Sequence, residues 1–119
     1  MSLTINVREV ANATILELAG RVTLGASGPS LQGTVRELLD SSHKNIVLDL
    51  GRVTYFDSFG LGGLIAINTA ASSRGGAIKL LHLNEKTEDL LLLTKLYTVF
   101  AIYRDEAEAL RSFDTPVQS

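Results

Sequence analysis

Apolar and polar residues alternate in two short runs at the start of the chain, residues 3–7 and 14–18. A period of two is typical of strands that bury one face. The stretch 11–13 between the runs favours a short turn, so they are predicted to form a hairpin that ends at Gly20. Residues 21–27 follow no pattern and are predicted to form a loop.

The next apolar residues follow a helical period. Leu31, Val35, Leu38 and Leu39 lie at i, i+4, i+7 and i+8, which predicts one apolar face of a helix. Pro29 stands where a first helical residue often stands.

Strands and helices are then predicted to alternate. Residues 46–50 have little polar alternation, as expected of a central strand that is covered on both faces. A helix is predicted at about 58–73, ending at Arg74-Gly75-Gly76, and a strand follows at 77–83. Asn84 is predicted to cap a third helix, which carries Leu90, Leu91, Leu93 and Leu96. A strand at 99–103 and a last helix from 105 through Phe113 complete the pattern, with Asp105 and Glu108 at capping-box spacing.

The predicted order is β-β-α-β-α-β-α-β-α. It indicates an α/β fold, with a mixed sheet of about five strands and four helices packed against it. A length of 119 residues favours a single domain that spans 1–119. We expect its core at about 3–113 and a flexible tail at 114–119.

Composition narrows the function classes. The formal net charge is −2 and the cations are scattered, so nucleic-acid binding is not expected. The chain has no cysteine, which fits a reducing compartment. Residues 3–10 are too short and too polar for a signal peptide or membrane span, so we expect a cytoplasmic protein without membrane insertion.

The stretch from Asp57 to Leu64, DSFGLGGL, joins the central strand to the second long helix. Ser58 is therefore predicted to lie at a helix N-terminus, where unpaired N–H groups favour an anion. Gly60, Gly62 and Gly63 each cost a helix about 0.8–1 kcal/mol relative to alanine. Such glycines serve either close helix–sheet packing or the approach of another molecule, and residue type does not decide between the two.

Other residues of this stretch also allow two interpretations. Ser58 is either a modified hydroxyl or simply the N-cap of the helix, since serine is a preferred cap. Asp57 is interpreted as a cap or loop brace in preference to a catalytic acid. Phe59 is either a core residue or an exposed anchor, and the anchor is favoured.

Enzymatic motifs do not fit. The glycines do not form G-x-G-x-x-G because position 65 is Ile, and the P-loop Lys is missing. Ser58 is not in a G-x-S-x-G elbow. The two histidines, His43 and His82, lie 39 positions apart, which favours neither a catalytic triad nor a metal cluster. We therefore expect a non-enzymatic protein with no cofactor and no metal.

Several segments together resemble a known family, the STAS domains, and specifically the bacterial anti-sigma factor antagonists. The matching segments are NIVLDLGRVTYFDSFGLGGL at 45–64, AIKLLHL at 77–83, LTKLYTVFAIYRDEAEAL at 93–110, and Gly20-Arg21-Val22. The resemblance spans residues 3–113.

This resemblance implies a partner-switching protein. Such antagonists bind an anti-sigma factor that is also a serine kinase, and binding releases the sigma factor. The kinase phosphorylates the serine that follows the loop aspartate, here Ser58, and the phosphorylated form dissociates until a phosphatase resets it. The partner-binding residues implied here are Arg21, Thr23, Leu24, Asp57, Ser58, Phe59, Gly60, Leu61 and Gly62.

The sequence departs from the family pattern at two positions. Thr23 replaces a usual acidic residue, and Phe59 replaces a small residue, commonly serine. A STAS domain that never switches stays an alternative, as a scaffold in a signalling assembly or as the small subunit of a lipid-transport complex. A nucleotide-binding domain is a third, weaker alternative. A homo-oligomer is left open, since exposed Phe59 and Leu61 would suit one.

Overall fold

A computed structural model describes residues 3–23 and 30–114. In these residues five strands form one sheet: β1 (Leu3–Val10), β2 (Ala13–Val22), β3 (Asn45–Phe56), β4 (Ala77–Leu81) and β5 (Ala101–Tyr103). The α-helices are α1 (Leu31–Asp40), α2 (Ser58–Ser73), α3 (Glu85–Leu93) and α4 (Glu106–Asp114). A single 3-10 turn, Leu96–Thr98, precedes β5.

The strands lie side by side in chain order, β1-β2-β3-β4-β5. The opening hairpin is antiparallel, and every later neighbour is parallel. Parallel neighbours need a crossover, and helices supply each one here. The predicted α/β fold and its order of elements are confirmed.

The end of β2 differs from the prediction. Gly20 does not end the strand; it lies at a pairing irregularity inside β2, with a φ of 105°, which glycine adopts readily. Arg21 and Val22 continue the strand by pairing with Tyr55 and Phe56, so the predicted loop does not begin at 21. β3 correspondingly runs six residues beyond Leu50.

Other boundaries also shift. The first helix begins at Leu31 with Ser30 as its N-cap, so Pro29 is not its first residue and lies outside the described residues. β4 stops at Leu81, and the next residue has a left-handed φ of 57°. The third helix ends at Leu93, and β5 begins two residues later than predicted. Asp114 belongs to α4, and the rest of the predicted tail lies outside the described residues.

The main core fills the sheet face under α1, α2 and α3. Val47 and Leu48 of β3 point to opposite faces and are both fully buried, which confirms a central strand covered on both sides. The main core includes Leu16, Leu18, Val35, Ile46, Leu48, Leu50, Leu64, Ile67, Leu80 and Leu91. Together these side chains support α2 along its inner face.

The opposite face is smaller and is covered by α4. Its buried residues are Ile15, Val47, Leu81 and Ala109. Lys79 extends from β4 under this helix, where its ammonium lies 4.1 Å from the Phe113 ring centroid and donates to Ser112 Oγ at 2.6 Å. The cation–π contact and hydrogen bond hold the C-terminal part of α4 on the sheet.

The remainder of that face carries a polar network. The Asn6 amide donates to Glu17 Oε1 at 2.7 Å, and Arg8 Nε donates to Glu17 Oε2 at 3.1 Å. Arg8 also reaches Glu106 of α4 at 2.7 Å, so one guanidinium joins the hairpin to the last helix. These contacts lower the pKa of the Glu17 carboxyl, first through the Asn6 hydrogen bond.

None of the helices in the described ranges has the length and apolar character that a membrane span requires.

Asn6→Ala should raise the pKa of Glu17 toward its ordinary value, because the amide that stabilises the carboxylate is removed. A carboxyl with a lowered folded pKa contributes stability above its ordinary pKa and loses it as pH falls through the folded value. The variant should therefore show a smaller acid-dependent loss of stability. The measurement is an NMR titration of Glu17 Cδ.

Thr4→Ala is the matched control, since Thr4 lies two residues away on β1 and donates to the Ala19 carbonyl. It should leave the Glu17 titration unchanged. An equal Glu17 pKa in Asn6→Ala and wild type would contradict the assignment.

Candidate functional site

The site is the junction where β3 ends and α2 begins. Asp57 is the N-cap of α2, and its Oδ1 accepts the Gly60 N–H at 2.7 Å. Ser58 is the first helical residue and is exposed. Because Asp57 already caps the helix, the interpretation of Ser58 as the cap is wrong and that of Asp57 is confirmed.

The paired ends of β2 and β3 position this junction. Val22 pairs with Phe56, and the next residue, Asp57, donates its N–H to the Val22 carbonyl at 3.4 Å. The helix then turns back over the main core. The first turn of α2 is consequently fixed against the end of β2.

The three glycines of α2 have different surroundings. A Cβ on Gly60 would lie 1.9 Å from the Val22 carbonyl oxygen, and one on Gly63 would lie 2.9 Å from the Gln32 side chain. A Cβ on Gly62 would meet no heavy atom of residues 3–23 and 30–114 within 4 Å. Packing therefore requires glycine at 60. At 63 the end of the flexible Gln32 side chain could move aside, and nothing in the described fold requires glycine at 62.

Two large apolar side chains of α2 lie in solvent. Phe59 is 63% exposed and Ile65 is 40% exposed. Leu61, between them in sequence, is half-buried and packs against the main core. The expected exposure of Phe59 is confirmed.

A second aromatic group lies at the same end of the molecule. Tyr55 is 49% exposed, and the Arg21 guanidinium stacks 5.0 Å from its ring centroid. A shallow cavity of about 300 Å³ beside it is lined by Thr54, Tyr55, Phe56, Lys86, Thr87 and Leu90. Thr23 is half-buried just beyond β2, and Leu24 lies outside the described residues.

Sequence reasoning missed Tyr55 and Ile65. Tyr55 was missed because the strand was predicted to end at Leu50, although the run VTYF at 53–56 is rich in strand-forming residues. Ile65 was missed because the helix is apolar on nearly every side. The signal for Ile65 was the spacing of Phe59, Gly62 and Ile65, three residues apart.

His82 is part of a separate pair. Its Nδ1 lies 3.1 Å from Asp49 Oδ2, and Asp49 Oδ1 accepts the Gly51 N–H. Asp49 precedes Ser58 by nine positions, mostly along β3, and at about 3.3 Å per residue the two lie roughly 20 Å or more apart. These three residues therefore do not form a Ser-His-Asp triad.

A comparison with protein families settles the classification. A family model described as "Mlab, STAS domain" matches residues 5–101. The chain belongs to the STAS domain family. The predicted family is therefore confirmed.

A Thermotoga maritima protein that carries the provisional name anti-sigma factor antagonist is similar in sequence. It is 39% identical over 74 residues, which are 62% of this STAS domain and 66% of the relative. The matched segment is thus slightly less than two thirds of the relative's length. A similar protein from Thermotoga neapolitana is 38% identical over 74 residues.

Solved structures share the whole fold. An anti-sigma factor antagonist from Mycobacterium paratuberculosis superposes with a TM-score of 0.82, covers 96% of both chains and is 21% identical. A Thermotoga maritima crystal structure with the same provisional name superposes at 0.79, with 27% identity over 93% of this chain and 95% of the other. The first likeness concerns the fold alone.

Gly60→Ala and Gly62→Ala should change stability in opposite directions. The Cβ at position 60 must displace the Val22 carbonyl, so we expect a loss of about 1–3 kcal/mol or more. At position 62 the Cβ of alanine would meet none of the described atoms and would remove the entropic cost of glycine, so we expect a gain of about 0.5–1 kcal/mol. Urea unfolding followed by circular dichroism measures both.

Gly33→Ala in α1 is a control for the general effect of the substitution, because its Cβ would make an ordinary 3.5 Å contact with Ser30 Cβ. A stabilised Gly60→Ala protein would contradict the packing described for the start of α2.

Proposed function

We propose that this STAS domain is an anti-sigma factor antagonist that phosphorylation of Ser58 switches off. In its unmodified form it binds an anti-sigma factor with serine kinase activity and so frees the sigma factor. The kinase then modifies Ser58, the complex dissociates, and a phosphatase restores the binding form. The protein itself supplies the recognition surface, and the chemistry belongs to its partners in the bacterial cytoplasm.

One observation carries the proposal: Ser58 is exposed at the first position of α2, and Asp57 performs the capping. Among residues 3–23 and 30–114 the Ser58 hydroxyl makes no hydrogen bond that a phosphate would break. A kinase can therefore reach this hydroxyl without unfolding the helix. The names of the two Thermotoga relatives support the same function.

Phosphate at this position would act locally. It adds about −1.5 to −2 charges, which the α2 N-terminus stabilises by roughly 0.3–1 kcal/mol. The neighbouring Asp57 carboxylate opposes it. The fold is therefore expected to tolerate the modification without a change in backbone structure.

A bound partner would not tolerate it. Any surface packed on Ser58 would have to desolvate a dianion without a matching cation. Buried interfacial charges left unpaired suggest that phosphorylation would cost on the order of 2–5 kcal/mol of binding free energy. This loss corresponds to a roughly 30-fold to several thousandfold weaker affinity. That range is large enough for an on/off switch.

The alternative is a STAS domain that does not switch. Two observations favour this alternative. Thr23 stands in place of the usual acidic residue, and the description of the matching family model names Mlab. It would serve as a scaffold or as a subunit of a transport complex. The phosphorylation experiment separates the two proposals.

Incubation with ATP and a serine-kinase anti-sigma factor from the source genome should add the mass of one phosphate. Ser58→Ala should abolish the gain, because it removes the exposed hydroxyl at the start of α2. Intact-mass spectrometry is the measurement. Binding of the phosphorylated form, measured by calorimetry, should fall by at least about 30-fold.

Ser72→Ala is the matched control, an exposed serine near the other end of the same helix, and should be phosphorylated like wild type. Phosphate transfer to Ser58→Ala, or no transfer with any such kinase of the genome, would contradict the switch. The scaffold or transport-subunit function would then stand.

Phe59→Ala should weaken binding to the same anti-sigma factor by about tenfold or more, since exposed aromatic anchors dominate many interfaces. Its stability should change by only about 0.5 kcal/mol because the ring is largely in solvent. Leu93→Ala, an 83% exposed position at the end of α3, should leave binding unchanged. Equal affinities of Phe59→Ala and wild type would show that Phe59 is not an anchor.

A further inference from the structure

The segment that leads from the end of α3 into β5 is apolar on its outer side as well as its inner side. Leu91, Leu96 and Phe100 are buried in the main core and anchor the segment. The outer side carries five of the nine large apolar side chains that are exposed in the described residues: Leu92, Leu93, Tyr97, Val99 and Ile102. We call these five residues the β5-edge patch.

This patch is separate from the candidate site. α3 begins beside the cavity that Tyr55 lines, where Lys86 and Thr87 form part of the wall. Leu93 is six residues further along the helix, about 9 Å at 1.5 Å per residue. β5 also lies two strands from β3, roughly 10 Å across the sheet. The proposed partner surface around Ser58 therefore does not account for the patch.

The size of the patch matches that of a small interface. At about 150–200 Å² for a whole large side chain, the exposed fractions of the five residues amount to roughly 400–550 Å². Apolar patches of about 300–600 Å² on single chains are often functional. Two such patches in mutual contact would bury roughly 800–1,100 Å², which just reaches the ~1,000 Å² expected of a specific interface.

The open edge of β5 adds a directional feature. In a strand, the N–H and C=O of one residue point to the same side, and those of the next residue point to the other side. The Tyr103 carbonyl accepts the His82 N–H, so the backbone groups of Tyr103 face the chain that follows β4. Those of Ile102 consequently point outward, since β5 is the last strand of the sheet. Outward backbone groups on an edge strand are a template for another strand.

We infer that the β5-edge patch is a contact surface for a second copy of this chain, with the two β5 strands paired antiparallel at Ile102. Pairing about a two-fold axis places a residue opposite itself, and the two copies of Ile102 would exchange both N–H···O=C bonds. The two sheets would then form one continuous sheet. The inference does not depend on the proposed function, because Ser58 of each copy stays accessible in this arrangement.

A second copy fits the surface better than other occupants. It brings an apolar patch of the same size and the same outward groups, so a single contact satisfies both chains. The other edge strand, β1, exposes one large apolar side chain, Val7, and is a poorer surface.

The last residues of this chain are too short to cover the patch. Residues 115–119 follow Asp114, whose carboxylate accepts the Asn12 amide between β1 and β2. Five residues span at most about 18 Å. They would need about 14 Å to cross from β2 to β5, and a further length to pass round the sheet edge to α3.

The first test is sedimentation equilibrium of the full chain. Wild type should form a dimer with a dissociation constant in about the micromolar range, as small interfaces do. Leu93→Lys should raise that constant by about tenfold or more, because it places an unpaired cation in the contact. A lysine at the end of α3 also suits the helix dipole, so the variant should unfold at no lower urea concentration than wild type. Phe59→Ala, a change in the exposed ring of α2, should dimerise like wild type.

The second test, Ile102→Cys, examines the strand pairing itself. The chain has no cysteine, so the variant carries a single thiol. Opposed residues of a hydrogen-bonded antiparallel pair have Cα atoms about 5.5 Å apart, which is within the range of disulfides. Mild oxidation should therefore give a covalent dimer on a non-reducing denaturing gel. Val7→Cys, an exposed position of the other edge strand, is the matched control and should stay largely monomeric.

Three results would overturn the inference. The first is a wild-type protein that stays monomeric up to about 1 mM. The second is a dimer that Phe59→Ala dissociates and Leu93→Lys does not. The third is an Ile102→Cys protein that cross-links no better than Val7→Cys. None of these results bears on the phosphorylation of Ser58, so the proposed function would stand.

Discussion

The carbonyl group of Val22 is the constraint on which the functional end of this domain depends. It accepts the N–H of Asp57 and lies so close to Gly60 that no side chain fits between them. The last residues of β2 and the first turn of α2 are thereby held together. Ser58 is the residue that follows Asp57. Moving Ser58 away from the end of β2 would require breaking the parallel pairing of β2 and β3.

Sequence reasoning succeeded where periodicity and caps are strong. Alternation identified the hairpin, a glycine-rich stop ended α2 correctly, and Asn84 caps α3 with the predicted contact, accepting the Thr87 N–H at 2.9 Å. It failed where pairing between distant strands overrides local pattern. Glycine alone favours the end of a strand, so Gly20 was interpreted as the end of β2. Pairing of Arg21 and Val22 with β3 carries the strand past it.

In the candidate site, too, local features could be predicted from the sequence and contacts between distant residues could not. The N-terminal position of Ser58 and the exposure of Phe59 followed from residue types and spacing. The different surroundings of the glycines did not, since they depend on atoms remote in sequence. The Val22 carbonyl oxygen lies where a Cβ on Gly60 would stand, and no atom of the described residues lies within 4 Å of a Cβ on Gly62. Tyr55 entered the site only through a strand extension that depends on pairing with Arg21.

The contrast between Gly60 and Gly62 also has an evolutionary consequence. Selection for a folded chain is sufficient to retain Gly60, whatever the domain binds, because its constraint is internal. Among the described residues no contact retains Gly62, since alanine is the better helix former and its Cβ would meet none of their atoms. Across related chains, position 62 should therefore vary toward ordinary helix formers more readily than position 60.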